Sequence, residues 1–289
     1  MSHRLTLAVF LIAIGFAPAA ESTKYEVEVK KDIAYHTGSD ADKERNVLDV
    51  YVPKGKKDIP VFFFVHGGAW KQGNKRVFAE PAKRFAEAGI AVVCPNYRLS
   101  PKVQHPGHIE DVAKAFAWTI DNIAKHGGDP KKVIASGHSA GGHLVALLAT
   151  NETYLKAEKK SLADIRGVFG ISGVYIISPA SRSLNDAFGT DVAVCKTASP
   201  IAHIGSAHPP MLLVYADNDI PMLGSGAEFF AKGLKNSKQE ATAKEFKDRT
   251  HITIMSGMKS ADDPVFLAAK RKYLTNTFPP LPLTICITT

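Results

Sequence analysis

The run Val133-Ile134-Ala135-Ser136-Gly137-His138-Ser139-Ala140-Gly141-Gly142-His143 decides the fold. Val133-Ile134-Ala135 is a short apolar run of the kind buried in a sheet, and the stretch from Ala140 to about Thr150 reads as a helix. Between them lies Gly137-His138-Ser139-Ala140-Gly141, a G-x-S-x-G pattern at a strand-to-helix turn. A serine hydroxyl is a weak nucleophile unless it is exposed beside a base. A sharp turn exposes it and crowds its neighbours, which is why glycine stands two residues to either side. Alone the pattern recurs by chance in glycine-rich turns. With a strand before it and a helix after it, Ser139 is the candidate nucleophile.

Working outward, Val61-Phe62-Phe63-Phe64-Val65 is a second continuous apolar run, and His66-Gly67-Gly68-Ala69-Trp70 follows it directly. Acyl transfer places negative charge on the substrate oxygen, and backbone N–H groups must already point at it. Glycines at a strand end allow that close approach. A base and an orienting acid must also be found, and in this arrangement they follow the serine in the order acid, then histidine. Asp219 lies just past the apolar run 211–215, and His251 lies in the loop after a polar strand at 242–246. Asp217 is the rival acid; Asp219 is preferred because the turn carries the acid a few residues beyond the strand. His138 and His143 flank the elbow and are read as packing there. His105, His108, His203 and His208 precede Asp219 and are read as structural or surface residues, some of them within reach of substrate.

The rest of the chain frames these residues. Residues 25–29 and 47–52 alternate apolar and polar positions, as half-buried antiparallel strands do, whereas 61–65 and 90–94 are apolar throughout, as strands covered on both faces are. Helical periodicity is expected from about 79 to 88, from Ile109 through Val112, Ala113, Phe116, Ile120 and Ile123 to Gly127-Gly128, near 227–234, and from Pro264 to about Tyr273. Further strands are expected at 168–171 and 211–215. Strands alternating with helices imply an α/β fold, a mostly parallel mixed sheet with helices on both faces. The stretch 173–209 has no strong period and is read as a small cap insertion over the sheet. Within it, Tyr175, Ile176, Ile177 and Phe188 suit an apolar pocket.

With 289 residues, 45% hydrophobic and 22% charged, the chain has the composition of an ordinary globular protein. Arg4, the apolar run 5–16 and Ala17-Pro18-Ala19 have the three-part layout of a secretory signal peptide, so residues 1–20 are expected to be removed, leaving a hydrolase domain over 21–289. A retained anchor is the alternative, but the run is shorter than the roughly 20 residues of a spanning helix. A secreted or periplasmic location follows, with no stable membrane insertion after cleavage. The net charge is +8. The lysines are scattered and lack interleaved aromatic residues, so a solvated basic surface is expected and nucleic acid is not. Cys94 reads as a buried thiol, Cys195 and Cys286 are a possible pair, and no cysteine or histidine spacing suits a metal.

At these residues the chain resembles the esterase/lipase branch of the α/β-hydrolases, which includes hormone-sensitive-lipase-like carboxylesterases, feruloyl-esterase-like proteins and kynurenine formamidases. The resemblance covers roughly 46–273. It rests on Leu48-Asp49-Val50-Tyr51-Val52-Pro53, His66-Gly67-Gly68-Ala69-Trp70, Asn96-Tyr97-Arg98-Leu99-Ser100, Asp111, Gly128-Asp129-Pro130 and Gly137 to His143. It implies the α/β-hydrolase fold and a triad of Ser139, Asp219 and His251. It also implies oxyanion donors at Gly68, Ala69 and Ala140, and a substrate pocket touched by Trp70, His138 and Tyr175. The activity implied is that of a serine carboxylesterase acting on small short-chain or aromatic esters, with no cofactor. An aryl formamidase or a peptidase uses the same chemistry, and a non-catalytic binding protein on this scaffold is the reading from another class. Ala69 departs from the commoner third glycine, and the tail 279–289 has no counterpart. Oligomeric state is not readable.

Overall fold

The computed structural model describes residues 24–205 and 207–274. Eight strands, β1 (Val27–Ala34), β2 (Val47–Pro53), β3 (Ile59–Val65), β4 (Ala91–Pro95), β5 (Gly128–His138), β6 (Gly167–Ile171), β7 (Met211–Asn218) and β8 (Ala241–Thr250), form one sheet. Their order is β1-β2-β4-β3-β5-β6-β7-β8. The β1–β2 and β2–β4 pairs are antiparallel and all others are parallel. The mixed sheet expected from the patterning is therefore present. Three strand boundaries depart most from expectation. The first strand runs to Ala34 rather than Val29, the elbow strand begins at Gly128 rather than Val133, and the last runs to Thr250, delivering His251 at its end. Each extension is largely polar, with Lys30-Lys31-Asp32, Asp129 with Lys131-Lys132, and Lys247 to Thr250, and it is sustained by pairing more than by burial.

The side chains of β3 show why the sheet is covered twice. Val61, Phe63 and Val65 enter one core cluster, and Phe62 and Phe64 the other. Successive strand residues face opposite ways, so an unbroken apolar run needs helices on both sides. On the first face lie α2 (Gly107–Asn122), α3 (Ala140–Thr150) and, further along the sheet, α7 (Leu223–Asn236), contributing Phe116, Leu144, Leu147 and Phe230. On the second lie α1 (Ala79–Glu87) and α8 (Pro264–Leu274), contributing Phe85 and Phe266. Each fully buried Phe of β3 is worth about 2–3 kcal/mol of transfer free energy. No helix among the described residues is long and apolar enough to cross a membrane.

The chain order creates one crevice. β3 lies between β4 and β5, so the crossover from β3 to β4 runs one way and that from β4 to β5 runs back past it. In open α/β sheets ligands bind outside the carboxyl ends of strands at such a reversal. Here those ends carry His66-Gly67-Gly68 and Ser139. Between β6 and β7, short helices α5 (Asn185–Phe188) and α6 (Val192–Ala198) replace the featureless stretch expected at 173–209, with α4 (Thr153–Ala157) preceding β6. The α5 segment is tied down by Ala187, whose carbonyl accepts from His105 N at 2.8 Å, and by an ion pair from Lys71 to Asp186. Residues 1–20, the tail 279–289 and Cys286 lie outside the described residues. Cys94 and Cys195 are both buried.

Candidate active site

Ser139 stands between β5 and α3 with φ +55° and ψ −117°, a conformation that non-glycine residues seldom adopt. Both elbow glycines are demanded by close approach. A Cβ on Gly137 would collide with the backbone of Gly141, and one on Gly141 with the carbonyl of Val65. The first turn of α3 thus lies directly on the end of β3, and the turn can be this sharp only because neither side carries a side chain. The amide of Ser139 donates to the carbonyl of Ile171 at 2.9 Å, locking the elbow to β6.

The Ser139 hydroxyl lies 3.0 Å from His251 Nε2, and His251 Nδ1 donates to Asp219 Oδ1 at 2.7 Å. Asp219 also accepts from its own turn, from Ala216 N at 3.1 Å and Ile220 N at 2.8 Å, and from the Ser172 hydroxyl at 2.5 Å. Burial by itself raises the Asp219 carboxyl. The donors from His251, Ser172, Ala216 and Ile220 more than offset it and hold the group at about 2. Asp219 is accordingly a carboxylate, and it fixes the proton of His251 on Nδ1, leaving Nε2 free to accept. Asp217 points elsewhere, accepting from Asp248 N and Arg249 N at 3.0 Å each and shaping the turn that presents His251.

The loop after β3 is built for close backbone approach. Gly68 has φ +119°, and Ala69 and Trp70 are also left-handed at +51° and +60°. A Cβ on Gly67 would come within 3.1 Å of Ser139 Cβ, so the loop runs against Ser139 itself. Ala140 is the first residue of α3, where an amide N–H has no intrahelical acceptor. Of the expected donors, Ala140 adjoins Ser139 in the chain, and Gly68 and Ala69 follow directly on the Gly67 contact with it. His66, buried, stiffens the loop from beneath: Nδ1 donates to Gly67 O at 2.7 Å and Nε2 accepts from Arg45 at 3.3 Å. Burial, and then the Arg45 charge, push this imidazole down to about 3, so it stays neutral. Tyr97 stacks on it at 4.4 Å and donates to its carbonyl, which gives Asn96-Tyr97-Arg98 its place beneath the site.

Three residues expected to touch substrate are placed differently. Trp70 is only 2% exposed; its Nε1 donates to His143 Nδ1 at 3.2 Å, and its ring meets Phe188 edge-on at 4.9 Å. It anchors the loop inward rather than walling a pocket, because the left-handed backbone at 69–70 turns the side chain into the core. Tyr175 is 2% exposed and stacks on Phe230 of α7 at 4.7 Å, filling space between β6 and that helix, and Phe188 is equally buried. Of Tyr175, Ile176, Ile177 and Phe188, the one that is exposed is Ile176, at 47%. His138, 5% exposed, donates from Nε2 to the carbonyl of His251 at 2.7 Å and supports that residue instead of facing solvent. His143 packs as expected, donating to Ala198 O at 2.8 Å. Sequence reasoning missed Arg45, Ser172 and the buried Lys75, which reaches Asp49 at 2.6 Å and Asp32 at 2.7 Å. Only Ser172, directly after a buried strand run, carried any local signal. Among the described residues no group of three His, Cys, Asp or Glu side chains is placed to hold a metal ion.

The sheet order, the elbow on β5 and the acid and histidine at the ends of β7 and β8 define an α/β-hydrolase. The chain belongs to the BD-FAE family, whose model matches residues 48–232. It is 31% identical over 227 residues to Esterase LipQ of Mycobacterium tuberculosis, covering 71% of this chain and 52% of that protein. It is 34% identical over 172 residues to a probable isoprenylcysteine alpha-carbonyl methylesterase of Oryza sativa subsp. japonica, covering 57% of this chain and 39% of that one. The chain thus spans about half the length or less of these two relatives. Among solved structures, Esterase B from Lactobacillus rhamnosis superposes with a TM-score of 0.75 at 22% identity, over 89% of each chain, a likeness of fold.

Proposed function

We propose that this chain is a serine carboxylesterase that hydrolyses short-chain or aromatic carboxylic esters by way of an acyl-enzyme. The observation that carries the reading is the unbroken chain from Ser139 Oγ to His251 at 3.0 Å and from His251 to Asp219 at 2.7 Å. His251 takes the Ser139 proton as the oxygen attacks the ester carbonyl, and Asp219 stabilises the imidazolium that forms. The amides of Gly68, Ala69 and Ala140 receive the oxyanion. His251 then returns the proton to the departing alcohol, and a water activated by the same nitrogen releases the acid. The cycle draws on no cofactor. The names of the esterase relatives support ester hydrolysis, and the layout of residues 1–20 supports action outside the cytoplasm.

The test is hydrolysis of p-nitrophenyl acetate, butyrate and octanoate by the mature chain beside Ser139→Ala. Turnover of the short esters that disappears in the variant is the expected result. Equal rates in the two proteins would remove the proposal.

A further inference from the structure

Asp219 is fixed from outside its own turn by one side chain of a neighbouring strand. Of its four donors, Ala216 N and Ile220 N belong to the same strand-end turn and would travel with it, while His251 is the group being oriented. The fourth is the Ser172 hydroxyl, fully buried at the end of β6 and 2.5 Å from Oδ2. Ser172 is itself immobilised, its amide donating to Val214 O at 2.8 Å. The residue before it, Ile171, accepts the amide of Ser139 at 2.9 Å. One dipeptide therefore holds the nucleophile with its carbonyl and the acid with its hydroxyl. Ser172 does this at φ +47°, a left-handed conformation that glycine adopts more readily. Such local cost at a functional centre points to a role for the side chain that bears it.

We propose that Ser172 is a positioning residue of the reaction, whose hydroxyl holds the Asp219 carboxylate at the angle and distance His251 requires; this rests on the triad reading above. Its O–H also takes up part of the carboxylate charge at Oδ2. Without it, more of that charge faces His251 Nδ1.

The left-handed backbone supplies a well-behaved test, because Ser172→Gly removes the hydroxyl while easing the conformation, and Ser172→Ala removes it without easing. With p-nitrophenyl butyrate, both variants are expected to lose about 10- to 100-fold in kcat, the worth of a hydrogen bond to a charged group, with KM little changed. In both, the acidic limb of kcat/KM moves to higher pH, which a purely structural defect would not produce. Ser139 still takes a fluorophosphonate label to completion, more slowly than in the parent. Wild-type kcat with an unmoved limb in either variant would overturn the proposal, as would an active Gly variant beside an inactive Ala variant, which assigns the effect to backbone strain. If the parent takes no label and Ser139→Ala hydrolyses as fast as the parent, the triad reading fails first, and the role of Ser172 falls with it.

Discussion

His138 and His251 are joined by a 2.7 Å hydrogen bond from Nε2 of the first to the backbone carbonyl of the second, and their rings lie 4.6 Å apart. The residue beside Ser139 thus holds the loop that carries His251. Burial, and then the neighbouring His251, push the His138 ring down to about 4, so it stays neutral and donates from Nε2 while the enzyme works. His138→Phe keeps the bulk and loses the donor. Its kcat/KM is expected to fall about tenfold, the scale of one hydrogen bond, with part of the loss recovered by His138→Gln. A fully active Phe variant would show that the contact does not steer His251.

The two aspartates at the end of β7 are separated by what they hold. Asp219→Asn leaves a neutral partner for His251 and no reason for the proton to stay on Nδ1, so kcat is expected to drop by about 10³–10⁴. Asp217→Asn keeps one of the two oxygens that accept Asp248 N and Arg249 N and, standing outside the His251 contact, is expected to cost less than about tenfold. Steady-state kinetics of the two variants check this, and the opposite ranking would reassign the acid.

Gly68→Ala tests the loop after β3. At φ +119° an added Cβ meets the Gln72 carbonyl, whose own amide is bound to Gly68 O at 3.0 Å. The loop must then open and its donors must leave Ser139. A loss of about 10²–10³ in kcat is expected, with KM affected less. Unchanged kcat would place the oxyanion donors elsewhere.

Acid should destabilise the fold early. Burial pushes His66 and His143 down to about 3 and His138 to about 4, whereas the unfolded chain protonates these rings near 6.5. Below about pH 6.5 the unfolded state binds protons that the folded state does not. The stability these rings contribute is complete above that pH, is lost progressively as pH falls below it, and is gone once pH has passed through 4 to 3. Each contributes a slope of up to about 1.4 kcal/mol per pH unit in that window. Urea midpoints should decrease from pH 7.5 to pH 5 at constant m, and His143→Gln should flatten the trend. Equal midpoints would contradict the burial of neutral rings.

Ser139, Asp219 and His251 were legible in the sequence because each lies at the end of a run whose pattern declares a strand, and the chemistry dictates their order. The three-layer sheet was legible for the same reason: Val61 to Val65 cannot be apolar throughout without helices on both faces. What stayed hidden was contact between distant segments. Arg45 reaches His66, Ser172 reaches Asp219 and Lys75 reaches Asp49 through tertiary packing that leaves no periodicity. Trp70, Tyr175 and His138 were misplaced because proximity in sequence to the site does not set side-chain direction. Left-handed backbone at Trp70 and helix α7 over Tyr175 turn both rings into the core. The short helices of 185–198 were missed because α5 is a single turn stabilised by neighbours such as His105 and Lys71, not by amphipathic repetition.

The most direct measurement of the central claim is mass spectrometry of the purified protein after titration with a fluorophosphonate, followed in parallel by residual hydrolysis of p-nitrophenyl butyrate. One adduct per chain, on the peptide containing Ser139, with activity falling in step with labelling, is the result predicted. Hydrolysis that persists in fully labelled protein, or a label that settles on another residue, would contradict it.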